Sequence, residues 1–189
     1  LGLAEFTLSR RDPGYVGRTK AVKEVEVARE AGKDVTADDA DLKAVFDGLK
    51  DLPGNATLAN TEIGSTIYAN KPGDGSAREQ AASCQRVIGA LANITQDYAT
   101  KRYRSNVINW GMLPFHLKGE PKDFEVGDYI YVPEVRKALA GDMQDIKAYV
   151  VKKGAAVPIS LYIKPLNEKE KAIIRAGCLI NFNRARKGL

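Results

Sequence analysis

A glycine-rich turn that leads into a helix contains the residues of this chain best suited to chemistry. The stretch Pro72–Gln80 places glycines at positions 73 and 75 just before Ser76 and Arg78. A helix that begins directly after such a turn leaves backbone N–H groups unpaired, and the positive end of its dipole favours an anionic ligand. The glycines let the backbone approach a ligand, and the planar guanidinium of Arg78 suits a carboxylate or a phosphate. Ser76 is expected at the helix N-cap.

The same spacing also has a purely structural explanation. Ser76 and Glu79 are three residues apart, as in a capping box, and capping alone would account for both. The stretch lacks the GxxxxGK[ST] pattern of nucleotide hydrolases, and Gly75-Ser76-Ala77 lacks the second glycine of a nucleophile elbow. A serine-hydrolase triad would need the single histidine, His116, for which strand packing is the simpler explanation. Spacing alone therefore leaves the anion site and the capping box both open.

The elements around this turn predict a β-rich α/β domain with interleaved helices and a mixed sheet. β-branched and aromatic residues predict a strand over Ser65–Ala69, before the turn, and a helix follows from Ala77 to about Arg86. A further strand is expected near Val87–Leu91. Other strands are expected over Phe115–Leu117, Asp128–Val132, Ile146–Val151 and Val157–Ile163. Helices are expected over Tyr103–Trp110 and from Asn167, with Glu170, to about Gly177.

The first fifty residues differ in character and predict an N-terminal helical arm. A charged, exposed helix is expected over Thr19–Ala31, closed by Gly32. A second helix has apolar residues on one face, namely Leu42, Val45, Phe46, Leu49 and Leu52. Either Thr36 with Asp39, or one of Asp38 and Asp39 alone, would cap it. We therefore expect an arm over residues 1–55 and a main domain over residues 56–189.

Composition narrows the class of protein. With 189 residues, 44% hydrophobic and 28% charged, the chain is an ordinary globular protein of one domain or two small ones. A net charge of +5 is too small to favour nucleic-acid binding. No apolar run approaches the ~20 residues of a spanning helix, and the first residues do not resemble a signal peptide. We expect no membrane association and a cytoplasmic location.

The two cysteines predict no cofactor in this chain. Cys84 and Cys178 are far apart, and with one histidine they cannot supply the usual zinc site or the ligands of an iron–sulfur cluster. We expect two reduced, buried thiols.

Two motifs resemble the C-terminal swivelling domain of the aconitase superfamily. The segment Gly75-Ser76-Ala77-Arg78-Glu79-Gln80-Ala81 is similar to the family's Gly-Ser-Ser-Arg-Glu-His-Ala stretch. Asn106, followed after four residues by Gly111-Met112-Leu113-Pro114, resembles the later Asn-x4-Gly-Leu-Leu-Pro stretch. Order and separation agree, and the resemblance covers about residues 63–163. The whole is most similar to the end of a bacterial aconitase-like hydratase, a resemblance that implies a swivelling β/β/α domain with a mixed sheet.

The resemblance implies a role for each residue of the turn. In the family this domain closes over a [4Fe-4S] cluster held by other domains, the first serine is a base, and the arginine binds a substrate carboxylate. Ser76 would then be the base and Arg78 the carboxylate ligand. Gly75 and Ala77 would also contact substrate, and the supporting residues would be Gly73, Asp74, Glu79 and Asn106. Ala77 replaces the family's second serine, which leaves the identity of the substrate open.

The resemblance also implies partners. The complete enzyme would dehydrate and rehydrate a small hydroxy acid with several carboxylates, similar to citrate or isocitrate. The cluster would lie in preceding domains of the same polypeptide, and the isolated chain would be inactive. One alternative is the small subunit of an isopropylmalate isomerase, against which the helical arm and the absence of an initial Met count. An RNA-binding module derived from aconitase is a second alternative, which the modest charge does not favour.

Overall fold

A computed structural model describes residues 2–9, 12–120 and 125–188, and these contain eight helices and six strands. The helices are α1 (Gly2–Leu8), α2 (Pro13–Glu30), α3 (Ala40–Leu49), α4 (Arg78–Val87), α5 (Lys101–Asn109), α6 (Val135–Ala140), α7 (Glu168–Arg175) and α8 (Leu179–Arg186). The strands are β1 (Ser65–Ala69), β2 (Ala90–Thr95), β3 (Leu113–Leu117), β4 (Tyr129–Tyr131), β5 (Ile146–Lys152) and β6 (Ala155–Tyr162).

The chain forms two compact units, each built from separate segments. The first unit comprises Leu1–Glu24, Gly64–His116 and Ile163–Leu189, and the second comprises Val25–Ile63 and Leu117–Tyr162. The division expected from the sequence, an arm up to residue 55 and a domain from residue 56, stays a prediction.

The first unit contains a parallel β-α-β-α-β arrangement. Strand β2 pairs in parallel with both β1 and β3, and helices α4 and α5 make the two crossovers. Parallel strands end at a common edge, so the loop after β1 and the loop after β2 emerge side by side. Helices α4 and α5 contact each other, and one cluster of buried residues in this unit consists of Ala82, Ala90, Tyr98, Tyr103, Val107 and Met112. In open α/β sheets this edge is where ligands bind.

The second unit is antiparallel. Strand β5 pairs with β4 on one side and β6 on the other, and helix α3 packs against β5 and β6. One cluster of its buried residues consists of Val45, Leu49, Ala56, Tyr131 and Val151. The described strands thus include both parallel and antiparallel pairs among helices, and the mixed α/β fold class expected from the sequence is confirmed.

Several predicted elements match the structure closely. Strand β1 has the predicted bounds, and α3 buries the predicted apolar face. Its N-cap is Asp39, whose carboxylate accepts a hydrogen bond from the amide of Leu42 at 2.8 Å, so the open question of the cap is settled in favour of that aspartate. Helix α2 already begins at Pro13, because proline is well suited to the first turn of a helix.

The strand expected near residues 87–91 was placed wrongly. The observed β2 occupies residues 90–95, where Asn93 and Thr95 are fully buried although they are polar. These two residues interrupt the apolar run that would have marked a buried strand. Helices α1, α6 and α8 were not anticipated either.

Candidate functional site

The loop between β1 and α4 is fastened to the loop between β2 and α5. The amide of Asp97 donates to the carbonyl of Asn70 at 3.0 Å, and the amide of Ala99 donates to the carbonyl of Pro72 at 2.9 Å. A third hydrogen bond runs from Thr100 Oγ1 to the carbonyl of Gly73 at 3.1 Å. The turn predicted as a ligand site therefore has a defined conformation, held at the carboxyl edge of the parallel strands.

The two glycines of the turn have different roles. Gly73 has a φ of +96°, and a Cβ added to it would lie 2.4 Å from Cβ of Tyr103. No other residue fits that position without displacing Tyr103. Gly75 meets no other atom within 4 Å of an added Cβ and is exposed. Only Gly73 is thus required by packing, whereas Gly75 leaves open space in front of the helix.

Helix α4 begins without a side-chain cap. Its N-cap is Ala77, one residue later than expected, so the placement of Ser76 at the N-cap is wrong. Glu79 does not turn back towards the N-cap, because its Oε1 accepts a hydrogen bond from the indole Nε1 of Trp110 at 2.9 Å. Neither half of a capping box is formed. This removes the structural explanation that the spacing of Ser76 and Glu79 left open.

The start of α4 leaves donors available. Ser76, Ala77 and Glu79 are exposed, and the backbone amides of residues 76–79 donate no hydrogen bond within the described part of the chain. The hydroxyl of Ser76 likewise has no hydrogen-bonding partner among the described residues. Such a group of donors at the positive end of a helix is suited to an anion.

Arg78 is half-buried and bonded only to neutral groups. Its Nε donates to the carbonyl of Gly73 at 2.9 Å, and its Nη2 lies 3.4 Å from the carbonyl of Asp74. Within the described residues it forms no ion pair, and its Nη1 donates no hydrogen bond. The positive charge of this guanidinium is therefore not neutralised by a carboxylate of the chain.

The structure places seven of the eight predicted site residues in one continuous segment, residues 73–79, and one apart. Asn106 lies on α5, which packs against α4, and its carbonyl accepts a hydrogen bond from the amide of Trp110 at 3.1 Å. Asp74 is exposed and contributes its backbone carbonyl to Arg78. The roles assigned to all eight residues remain predictions.

Sequence reasoning missed a polar and aromatic cluster beside the turn. The Tyr98 ring stands 6.0 Å from that of Tyr103 and 5.2 Å from that of His116, measured between centroids. His116 is fully buried on β3, which agrees with the prediction that this histidine packs within a strand. Nε2 of His116 lies 3.7 Å from Oδ1 of Asp97, and that same oxygen accepts from Lys164 Nζ at 2.6 Å. Lys164 holds the pKa of Asp97 below its ordinary value, whereas burial raises the pKa of Tyr98.

The cysteines do not fit an iron–sulfur cluster. Cys84 is buried on α4 against Ala4 and Ile88, as expected of a small apolar side chain. Cys178 is only half-buried, which corrects the expectation of two buried thiols, and its Sγ accepts from the amide of Asn181 at the start of α8. No group of three potential metal ligands occurs in residues 2–9, 12–120 and 125–188.

The first unit is an open α/β arrangement whose parallel strands end at a glycine-rich turn, and the helix start and the unneutralised arginine at that edge are suited to a small anion. The model of the aconitase C-terminal domain family matches residues 16–120, which is more than half of the chain. The chain therefore belongs to the aconitase C-terminal domain family, and the resemblance seen in its motifs is confirmed.

Among solved structures, the chain is similar to 3-isopropylmalate dehydratase from Methanocaldococcus jannaschii. The two sequences are 25% identical, 69% of each chain is covered, and the TM-score is 0.44. No curated protein sequence matches the chain significantly. None of the described helices has the length and apolar character that crossing a membrane requires.

Proposed function

We propose that this chain is the substrate-closing domain of an aconitase-family hydro-lyase that dehydrates and rehydrates a small hydroxy acid with several carboxylates. The observation that carries the proposal is Arg78, a guanidinium that meets only neutral carbonyls beside an uncapped helix start. Family membership supports the reaction class. The iron–sulfur cluster implied by the resemblance would be held by other domains, in the same polypeptide or in a separate subunit. The isolated chain would accordingly have no turnover.

Arg78 would bind a substrate carboxylate. Its Nε and Nη2 face the carbonyls of Gly73 and Asp74, so the opposite edge, Nη1 with the second hydrogen of Nη2, is available. That edge matches the two oxygens of a carboxylate and can donate two parallel hydrogen bonds. Because no acidic side chain of the described residues competes for it, the substrate need not displace an ion pair.

Ser76 would act as the base. Its alkoxide would take the proton from the substrate carbon and become a hydroxyl, and the C–H electron pair would become the new double bond. The hydroxyl group of the neighbouring carbon would leave with its bonding pair and depart as water after taking up a proton from an acid outside this chain, and the cluster in the other domains would supply the Lewis acid that assists this departure. A serine can do this only if its alkoxide is stabilised. The unpaired amides of residues 76–79 provide fixed N–H dipoles at that place, which stabilise negative charge better than mobile water does.

A second candidate substrate is an isopropylmalate-like acid. The observation that favours it is Ala77, an exposed methyl group where the resembled motif has a second serine hydroxyl. A methyl group beside Arg78 accommodates an apolar substituent better than a third carboxylate. Citrate, isocitrate and 3-isopropylmalate, offered to the intact enzyme in parallel, discriminate between the two candidates through their kcat/KM values.

The Arg78→Lys variant tests the proposal itself. Lysine keeps the charge but loses the planar edge that holds a carboxylate by two hydrogen bonds. We expect KM to rise about tenfold or more, equivalent to ~1.4 kcal/mol, with a smaller fall in kcat from misplaced substrate. Arg86→Lys is the matched control, because Arg86 lies in the last turn of the same helix and donates to the carbonyl of Ala90. Equal KM values for the two variants would exclude Arg78 as the carboxylate ligand.

A further inference from the structure

The carbonyl of Gly73 is shared by two donors from different elements. Arg78 Nε donates to it at 2.9 Å from the start of α4, and Thr100 Oγ1 donates to it at 3.1 Å from the start of α5. A carbonyl oxygen has two lone pairs, so both of its accepting positions are in use. The direction of the carbonyl, and with it the direction of the Arg78 guanidinium, is thus set by a residue 27 positions away from the glycine.

Thr100 is itself firmly held. It is the N-cap of α5, and its Oγ1 accepts a hydrogen bond from the amide of Tyr103 at 3.2 Å. A hydroxyl donates one hydrogen and accepts at its lone pairs, so a single oxygen can fulfil both tasks. The ring of Tyr103 also fills the space where a side chain at residue 73 would lie. The start of α5 therefore fixes the turn through a hydrogen bond and through packing.

We propose that Thr100 is a positioning residue for Arg78. Through the Gly73 carbonyl it holds the Nε edge of the guanidinium against the loop, so that the Nη1 edge is presented to the substrate carboxylate. Without the Thr100 hydroxyl, the carbonyl is free to rotate away and the guanidinium loses its fixed orientation. This proposal rests on the proposed function for its ligand, but the hydrogen bonds that it invokes do not depend on that function.

Two variants of the full 189-residue chain test the hydrogen bond first. Thr100→Val has nearly the same shape but lacks the hydroxyl, whereas Thr100→Ser retains it. Hydrogen exchange of the Arg78 Nε–H group, followed by NMR, reports directly on its bond to the Gly73 carbonyl. We expect Thr100→Val to accelerate that exchange about tenfold and Thr100→Ser to leave it unchanged; tenfold is equivalent to ~1.4 kcal/mol, within the range of one hydrogen bond between neutral groups.

Loss of the helix cap must be separated from loss of positioning. Asn167→Ala removes the N-cap of α7 and leaves the Gly73 carbonyl intact, so it is the control for general destabilisation. We expect it to lower the melting temperature without changing the exchange of the Arg78 Nε–H group. An unchanged exchange rate in Thr100→Val would overturn the proposal, even if that variant melts at a lower temperature.

Citrate is the probe for the consequence in binding. Titrated into the same chains, it should shift the signals of residues 75–78, with a Kd about tenfold weaker for Thr100→Val than for Thr100→Ser. Accelerated exchange with unchanged citrate affinity would show that Thr100 only supports the loop, and the positioning role would be wrong. If citrate and 3-isopropylmalate shift no signal in the unaltered chain, the proposed function fails, while the exchange measurement still decides whether Thr100 orients Arg78.

Discussion

Two helices of the first unit, α4 and α7, begin with the same sequence pattern and have different starts. Each has a small polar residue followed three positions later by a glutamate: Ser76 with Glu79, and Asn167 with Glu170. At α7 both halves of the capping box form, since Asn167 Oδ1 accepts from the amide of Glu170 and Glu170 Oε2 accepts from the amide of Asn167, each at 2.9 Å. At α4 neither half forms.

The difference arises from tertiary contacts. At α7 the Asn167 and Glu170 side chains bond only each other's backbone amides, whereas the Glu79 carboxylate of α4 is bound to Trp110, and the turn before α4 is bound to α5 through Gly73. A missing cap typically costs about 1 kcal/mol. The helix start that lacks its own cap is also the one with an unneutralised arginine. When a helix start lacks the cap that its sequence offers, and no other side chain replaces that cap, the exception is expected at a functional site rather than at a structural one.

The largest effect predicted from this comparison is that of Ser76→Ala on turnover. If Ser76 is the base, the substitution removes a group that acts in the transition state, so kcat should fall by ~10²–10⁴ with little change in KM. Because Ser76 does not cap α4, the melting temperature should stay close to that of the unaltered enzyme. Steady-state kinetics and melting curves of the intact enzyme measure both. A lower melting temperature with normal kcat would mean that Ser76 is a cap after all.

A smaller effect is predicted for glycine substitutions in the turn. Gly73→Ala should lower the free energy of unfolding by more than about 2 kcal/mol, since a positive φ and overpacking each cost about 1–3 kcal/mol. Gly75→Ala is the matched control and should change the free energy of unfolding by less than about 0.5 kcal/mol, because its Cβ enters open space. Denaturant unfolding of the two variants gives both values. Equal destabilisation would show that the turn is not held against Tyr103 as described.

The sequence was informative wherever local pattern decides structure. The apolar face of α3 and the β-branched run of β1 follow from periodicity alone, and the capping box of α7 is visible in Asn167 and Glu170. Hydrophobic periodicity did not locate β2, because two of its buried residues, Asn93 and Thr95, are polar. It also failed for α8, in which no side chain is buried, so that no apolar face marks the helix.

The site was predictable only in part, for a similar reason. Ser76 and Arg78 lie within one segment, and a helix start after glycines is a local signal. The Thr100 hydroxyl and the Trp110 indole reach this segment from 27 and 31 residues away in the chain. Such contacts depend on the crossover geometry of the parallel strands, which no spacing in the sequence encodes. Thr100 carries a weak signal, since a threonine directly before a helix is a common cap.

At the start of α7, Asn167→Ala should lower the stability of the fold without changing catalysis. The substitution removes the acceptor for the amide of Glu170, and we expect the free energy of unfolding to fall by about 1 kcal/mol while kcat and KM stay unchanged. Thermal unfolding and kinetics of the intact enzyme give both results, and Asn167→Ser, which can still cap, is the control. A fall in kcat comparable to that of Ser76→Ala would end the distinction between a structural and a functional helix start.

The smallest predicted effect concerns the ion pair beside the turn, and it depends on pH. The ammonium of Lys164, more than any other group, lowers the pKa of Asp97 below its ordinary value of 3.8. A carboxyl whose pKa is lower in the folded state stabilises the fold above that ordinary value, and it loses this contribution as the pH falls through the lowered pKa. Since both side chains are about half exposed, the contribution should be at most about 0.5 kcal/mol. The difference in free energy of unfolding between the unaltered chain and Asp97→Asn should therefore be present at pH 7 and shrink below about pH 4.

Asparagine can still accept the hydrogen bond from the amide of Tyr98, and the bond from the amide of residue 97 to Asn70 is retained. A difference that persists at pH 3 would show instead that the aspartate stabilises the loop beside Gly73 through its shape rather than its charge.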